Sequence, residues 1–313
     1  MIIDMRGLIE TVALMFVYLA VGFIARKTGL ITDTSSKSLS KTILCVTQPF
    51  MLVNAIMTNE YSAEKLKSFG IVLIIGIIVH AVGAVIAMLS VLWMKDQEER
   101  RISEVAMVFA NCGFFGFPLV EALYGKEGLF WGAVYVIVFN VAVWTYGLFV
   151  LSRAKSTVKM NPVKMLLNFG TVPCALGIIL YILRISFPPF VMTAISSIGA
   201  VCTPLSLIVA GGLIATIPLK RLVSNGKVYY TSFVKLLVLP IVAAVVLKLL
   251  GFNSSYVIFG ATMASLPTGA IVAMFSETHD IKPNYAAHNV GMSTLLTIGT
   301  IPLAVWFVSS FII

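Results

Sequence analysis

The segment Asn111-Cys112-Gly113-Phe114-Phe115-Gly116-Phe117-Pro118 lies inside a hydrophobic run long enough to cross a membrane, residues 102–124. Glycine and proline both disfavour a helix interior, so this composition predicts a break in the helix. At bilayer depth a break leaves backbone N–H and C=O groups without helical partners. Such groups are tolerated only where protein or a water-filled cavity surrounds them.

A second break follows about half a chain later, at Ser265-Leu266-Pro267-Thr268-Gly269, again in the middle of a hydrophobic run. Pro49 and Pro204 are also separated by about half the chain. Two such pairs in one register predict an inverted repeat, in which span 2 corresponds to span 7 and span 4 to span 9. Interrupted spans at matching positions of two halves indicate the binding site of a transporter.

The composition is that of an integral membrane protein. The 313 residues are 59% hydrophobic and 11% charged, and the mean hydropathy is +1.01. A soluble domain carries about 25% charged residues. The formal net charge of +9 comes from basic residues scattered through short loops, where they act as topology signals. We therefore expect membrane lipid around the chain and no nucleic-acid partner.

Hydropathy predicts an all-α fold with ten membrane spans, arranged as five plus five. The predicted spans are residues 8–25, 39–57, 69–93, 104–124, 129–151, 169–185, 190–217, 229–250, 256–275 and 286–311. Residues 1–151 form the first repeat, 152–168 a cytoplasmic linker and 169–313 the second repeat. Asn161-Pro162 suits a helix start, which begins either span 6 or an interfacial helix that leads into it.

Lysine and arginine set the orientation. They concentrate in the loops after spans 1, 3, 5, 7 and 9, where Arg100 and Arg101 are examples, and are fewer in the opposite loops. Lys235, early in span 8, is assigned to the same side by snorkelling. The positive-inside rule then places both termini outside the cytoplasm. We expect a multi-pass protein of the plasma (inner) membrane.

The breaks supply the candidate substrate site. A half-helix that begins at a break offers free N–H groups and the positive end of its dipole, which bind a carboxylate or phosphate. Asn111 can donate its amide to the same anion, and Gly113 and Gly116 let a ligand approach the backbone. The alternative is a proline kink packed among small residues. The full candidate set is Asn111, Gly113, Gly116, Pro118, Ser265, Pro267, Thr268 and Asn140.

Two ionisable residues are candidates for coupling transport to an ion. His80, in the middle of span 3, can relay protons, or it is a neutral histidine bonded to a neighbouring helix. Glu121, one turn past Pro118, can exchange protons, or it lies at a membrane interface beside Tyr124. H⁺ or Na⁺ is the candidate coupling ion.

No other chemistry is indicated. The four cysteines fall in apolar spans without the spacing of a zinc site or a disulfide framework. The metalloprotease, phosphate-loop and nucleophile-elbow motifs are missing. We therefore predict neither an enzyme nor a metal or organic cofactor, and any uphill transport must draw on an ion gradient or the membrane potential.

At these motifs the chain resembles the auxin efflux carrier (AEC) family, which includes plant PIN carriers and bacterial malate or malonate permeases. Residues 107–125 look like the family's fourth span. Residues 266–275, followed by Ser293, Thr294 and Pro302, look like its last two spans. The resemblance covers essentially the whole chain.

The resemblance implies the fold shared with bile-acid sodium symporters. Spans 1, 2, 6 and 7 would form a scaffold, and spans 3–5 with 8–10 a transport domain that moves like an elevator, with spans 4 and 9 crossing at their breaks. It also implies a homodimer formed through the scaffold. Plant carriers tend to have an amide where this chain has Thr268, and many have a long hydrophilic loop where this chain has a short linker. Both departures favour a bacterial-type carrier over an auxin carrier.

We therefore expect a secondary-active carrier of a small organic anion, such as the dicarboxylate malate. Two alternatives remain at this stage. One is a sodium-coupled carrier of a bulkier amphipathic acid, and the other is a membrane sensor that binds a metabolite without transporting it.

Overall fold

The computed structural model describes residues 4–155, 167, 170–217 and 225–313. The predicted helix start at Asn161 and Pro162 lies outside the described residues, as does most of the predicted linker. Over the described ranges the fold is helical, and the only β-type pairing is a single bridge between Ala110 and Thr268. The predicted all-α class is confirmed to that extent.

We number the helices in chain order. They are α1 (Met5–Lys27), α2 (Asp33–Met57), α3 (Ala63–Ser90), α4 (Gln97–Val108), α5 (Cys112–Ser152), α6 (Thr171–Ile182), α7 (Pro189–Ile214), α8 (Gly226–Leu249), α9 (Ser254–Ser265), α10 (Ala270–His279) and α11 (Pro283–Ile312). Within the described ranges, seven of them are long and apolar enough to cross a membrane: α1, α2, α3, α5, α7, α8 and α11.

Helix caps explain why several helices begin before the hydrophobic windows. The side chain of Thr32 accepts a hydrogen bond from Ser35 N–H, and Ser62 caps α3 in the same way. Asp96 accepts from Glu99 N–H and starts α4 well before the predicted residue 104. A cap satisfies the free N–H groups of a first turn that is too polar for a hydropathy window to include.

Helix α5 is interrupted by a sharp bend at Gly125, where the backbone is not helical. This residue has φ 59° and ψ −140°, a conformation that a residue with a side chain rarely adopts. The bend divides α5 into a first segment after the break and a second apolar segment. Five-residue π-helical turns at Cys112–Gly116 and Val143–Gly147 widen it further.

Helix α1 packs along α7 at very short range because each helix has a glycine that faces the backbone of the other. A Cβ atom on Gly22 would lie 1.8 Å from the carbonyl oxygen of Ile208, and one on Gly211 would lie 2.0 Å from that of Leu19. Small residues are the usual means of close helix approach in membranes. Helix α2 packs on α6 and α7 and extends this group.

A second group of helices surrounds the two breaks. Helix α3 packs against α4, α5 and α8, while α11 packs against α8, α9 and α10. The interior contains large apolar side chains such as Phe115, Tyr135 and Phe259, each at most 2% exposed. This group holds the ends of α4, α5, α9 and α10 together.

Arg101 is buried, which corrects its assignment as a loop charge. Its guanidinium donates to the carboxylate of Glu104 across 2.7 Å, and the Tyr146 hydroxyl donates to the same carboxylate across 2.9 Å. The two charged side chains are 5% and 1% exposed. Counting charges along the sequence cannot distinguish a loop arginine from one that pairs with a carboxylate one helical turn away.

Candidate functional site

The two predicted breaks meet in space and are joined by backbone hydrogen bonds. Asn111 N–H donates to the carbonyl oxygen of Pro267 across 2.8 Å, and Gly269 N–H donates to that of Phe109 across 2.9 Å. Ala110 and Thr268 face each other between these bonds as an antiparallel bridge. Residues 109–111 and 267–269 thus provide hydrogen-bond partners for some of each other's backbone N–H and C=O groups. We call this region the crossing.

The first break is made by Phe109 and Asn111 rather than by proline. Helix α4 ends at Val108, and Phe109 is extended, with φ −95° and ψ 107°. The side chain of Asn111 then caps α5 by accepting from Phe114 N–H across 3.4 Å. Pro118 is already helical, in the first turn after the π turn Cys112–Gly116.

The second break follows the local rule for residues before proline. Pro267 disfavours the helical conformation of Leu266, which is extended, with φ −65° and ψ 153°. Gly269 is also extended, and α10 begins directly after it at Ala270. A Cβ on Gly269 would lie 3.1 Å from the carbonyl oxygen of Ala110, so glycine lets the two breaks approach.

Thr268 connects the second break to helices α4 and α11. Its hydroxyl donates to the carbonyl oxygen of Ala106 near the end of α4, across 2.9 Å. Its backbone N–H donates to the hydroxyl of Ser293 on α11, across 3.0 Å. Thr268 is 1% exposed, so these bonds take the place of the hydrogen bonds to water that its polar groups lose on burial.

The two predicted glycines face different neighbours. A Cβ on Gly116 would lie 3.2 Å from Leu266 Cδ1, so Gly116 packs against the second broken span. A Cβ on Gly113 would lie 3.7 Å from Nε2 of Gln48 on α2. Oε1 of Gln48 is buried and has no hydrogen-bond partner among the described residues. An amide with an unused acceptor therefore faces the start of α5.

The electrostatics of the crossing come from helix ends. Helices α5 and α10 begin there and α4 and α9 end there. The first N–H groups of a helix and its positive dipole end attract anions. Because the Asn111 side-chain oxygen is used in the cap, its Nδ2 group is the part left to donate to a ligand.

Two predicted site residues are placed differently. The Ser265 hydroxyl lies at the crossing but donates to the carbonyl oxygen of Thr262 in its own helix, across 2.8 Å. Asn140 is on the second segment of α5, where Nδ2 donates to the carbonyl oxygen of Val136 across 2.8 Å. Its side chain packs against Gly170, at the start of α6, and so does not join the crossing cluster.

The coupling candidates have contrasting environments. His80 is 8% exposed, and its Nδ1 lies 2.7 Å from the carbonyl oxygen of Gly76. Its ring packs beside Tyr135 and beside Phe109 of the crossing, with ring centroids 5.2 and 6.0 Å away. Glu121 is exposed, on the first segment of α5. Only His80 is thus close to the crossing.

The most informative residue that the sequence interpretation misplaced is Lys235. Expected to snorkel towards a loop, it is instead 1% exposed, and it lies near Cys112 and His80. It is part of a π turn, Val234–Val238, that contacts α4, α9 and α11. Pro240 cannot donate to the carbonyl oxygen of Leu236, which accounts for the widened turn.

A charged cluster lies at one end of this helix group. The ammonium of Lys282 pairs with Asp96 and, across 3.2 Å, with Glu99, while Lys227 pairs with Glu99 across 2.6 Å. The hydrogen bond from Lys282 lowers the pKa of Asp96, and the same bond raises the pKa of Lys282. The cluster joins the starts of α4, α8 and α11.

Comparisons with known proteins show that the chain is similar to membrane transport proteins. A family model described as membrane transport protein matches residues 8–306. A protein of Methanothermobacter thermautotrophicus described as an uncharacterized transporter is 23% identical over 302 residues, covering 95% of this chain and 97% of that protein. An uncharacterized transporter of Methanocaldococcus jannaschii is 20% identical over 306 residues, with the same coverage of both chains.

Proposed function

The chain belongs to the membrane transport protein family, the AEC family that its motifs resemble, and we propose that it is a secondary-active carrier of a small organic anion. A carboxylate, such as the dicarboxylate malate, is the substrate class we assign. The similarity to bacterial malate or malonate permeases belongs to this proposal. The carrier works in the plasma membrane with both termini outside the cytoplasm.

The observation that carries the proposal is the crossing itself. Two broken spans pair through their backbones at Asn111 and Pro267, and two half-helices begin at that point. Discontinuous helices that meet in this way bind substrates at the membrane midplane in transporters. The free N–H groups, the Asn111 amide and the nearby Lys235 favour a negatively charged ligand.

We propose ten spans in two inverted repeats. Helix α4 with the first segment of α5 forms span 4, the segment after Gly125 forms span 5, and α9 with α10 forms span 9. The bend at Gly125 supports the division of α5. The short apolar helix Thr171–Ile182 supplies span 6, so that spans 1–5 and 6–10 correspond.

The packing of the helices supports an elevator motion. Helices α1, α2, α6 and α7 form one group, and the helices around the crossing form the other. In this proposal the first group is a scaffold that dimerises, and the second carries the substrate past it. Gln48 on α2 faces Gly113 on α5, so in this proposal a scaffold amide lies beside the substrate site.

For coupling we propose protons or simple electrogenic movement rather than sodium. The crossing offers amide, hydroxyl and backbone groups without a carboxylate among the described residues nearest to it. A buried ammonium at Lys235 would repel a sodium ion bound beside it. The membrane potential or a proton gradient then remains as the energy source.

Flux through purified protein in liposomes tests the proposal. We expect uptake of at least one radiolabelled acid from a panel of malate, malonate, succinate and citrate, and no dependence on a sodium gradient. Uptake that requires sodium would favour a sodium-coupled carrier of another acid. Tight binding of an acid with no flux would favour a sensor and would contradict the proposed transport.

A further inference from the structure

Lys235 stands out among the buried charges of the described chain. It is 1% exposed, and no ion pair to it is found among residues 4–155, 167, 170–217 and 225–313. Arg101, the other cation with comparable burial, has Glu104 as a partner. An ammonium buried without a counter-charge is costly, and such residues inside a membrane usually serve function.

The surroundings of Lys235 place this charge at the crossing. The π turn that contains it packs against α4 and α9, the first halves of both broken spans, and against α11. Lys235 also lies near Cys112, the first residue of α5. Insertions of this π-helical kind are frequent at functional sites.

Neighbouring residues leave the ammonium without an acidic partner. Glu104 on α4 is taken by Arg101 and Tyr146, and Glu121 on α5 is exposed. Helix α9 contains no acidic residue, and neither does α11. Within the part of the chain that the structure describes, no acidic side chain pairs with Lys235.

We propose that Lys235 is a substrate-binding residue whose ammonium pairs with the carboxylate of the transported anion at the crossing. The proposal rests on the proposed function and adds the cation that the helix ends and Asn111 do not supply. Lys235 lies on α8, inside the group of helices that would carry the substrate. The pair would therefore move together, with the charge of one carboxylate compensated throughout.

Matched variants test this assignment. Lys235→Met and Lys235→Gln remove the charge at similar length, Lys235→Arg keeps it, and Lys227→Met removes a lysine of the same helix that pairs with Glu99 instead. Binding is measured as the thermal stabilisation of purified protein by acetate, malate, malonate, succinate and citrate, and flux is measured with the same acids in liposomes.

We expect the neutral Lys235 variants to bind the stabilising acid about ten- to a hundredfold more weakly, as for the loss of a charged hydrogen bond. Lys235→Arg should retain most of the affinity, and Lys227→Met should bind like the wild type. The neutral variants should also be at least as stable as the wild type without ligand, because an unpaired buried charge is gone.

The outcomes separate the two proposals. Flux in the wild type with unchanged affinity in folded Lys235→Met would overturn the role of Lys235 and leave the transport function standing. Binding without flux, with the expected loss in Lys235→Met, would overturn transport and support Lys235. Failure of every acid to stabilise the wild type would overturn the Lys235 proposal. The Lys235 proposal would also be overturned if the neutral variants failed to fold while Lys235→Arg folded. The ligand-free protein would then depend on the positive charge for its stability, for example through the C-terminal ends of α4 and α9.

Discussion

The backbone N–H of Asn111 donates to the carbonyl oxygen of Pro267 across 2.8 Å, although the two residues lie about half a chain apart. This bond and its neighbour from Gly269 to Phe109 convert two helix breaks into one paired unit. Each break therefore pairs backbone groups that the other leaves without a helical partner. The candidate site is built on this relationship.

The first prediction concerns Thr268. Thr268→Val keeps the shape of the side chain but leaves the carbonyl oxygen of Ala106 without its donor, so it should cost about 1–3 kcal/mol of stability. Ser265→Ala is the matched control, because the Ser265 hydroxyl bonds only within its own helix. Thermal unfolding in detergent measures both. Equal effects of the two substitutions would show that the hydroxyl of Thr268 does not link the helices.

The second prediction concerns the close approach of α1 and α7. Gly22→Ala would place a Cβ 1.8 Å from a backbone oxygen of α7, which forces the helices apart and should cost about 1–3 kcal/mol or more. Gly299→Ala is the control, since a Cβ there meets no atom within 4 Å and alanine favours a helix. We expect Gly22→Ala to lower the unfolding temperature and Gly299→Ala to leave it unchanged or raise it. A tolerated Gly22→Ala would contradict the packing.

The third prediction concerns the inverted repeat. Thr28 follows span 1 and Ser186 follows span 6, so these corresponding loops should lie on opposite sides of the membrane. In a variant without the four native cysteines, a cysteine at Thr28 should react from the cytoplasmic side and one at Ser186 from the outside. Impermeant thiol reagents measure this in cells. Labelling of both positions from one side would rule out two inverted five-span halves.

The fourth prediction concerns pH. The hydrogen bond from Lys282 holds the pKa of Asp96 below its ordinary value of 3.8, so the pair stabilises the fold above that pH. The stabilisation is lost as pH falls through the lowered pKa. Asp96→Asn retains a capping side chain but removes the charge. Unfolding temperatures measured from pH 7 to pH 3 should fall more steeply in the wild type than in this variant, and parallel curves would refute the pair's contribution.

The sequence was sufficient to locate both breaks because glycine, proline and asparagine act locally. Pro267 fixes the extended conformation of Leu266 without help from the rest of the fold. The details of the first break were less predictable, since Pro118 is helical and the cap comes from Asn111. Which atom makes a break depends on the backbone on both sides of it.

The buried charges could not be predicted from the sequence by the same reasoning. Arg101 and Lys235 lie near the ends of hydrophobic windows, where basic residues normally reach the loops. The burial of Arg101 depends on its pairing with Glu104. The burial of Lys235 depends on the contacts of its π turn with three helices. Similarly, the sequence made Asn140 a candidate site residue, but in the structure it packs against Gly170 and not at the crossing.

The most direct measurement is uptake of radiolabelled malate, or of the acid that the panel identifies, by liposomes that contain Asn111→Ala. Asn253→Ala is the matched control, because Asn253 also caps a helix, through Tyr256 N–H across 3.1 Å, but at the far end of α9. Both variants lose a helix cap, and only one loses an amide at the crossing.

We expect Asn111→Ala to weaken the affinity for the acid by about one to two orders of magnitude, as for the loss of a hydrogen bond of about 1.5–3 kcal/mol to a charged group. Asn111→Asp should be weaker still, because it places a like charge beside the carboxylate. Asn253→Ala should keep the wild-type affinity. Folded Asn111 variants that transport the acid with unchanged affinity would contradict the claim that the crossing binds the anion.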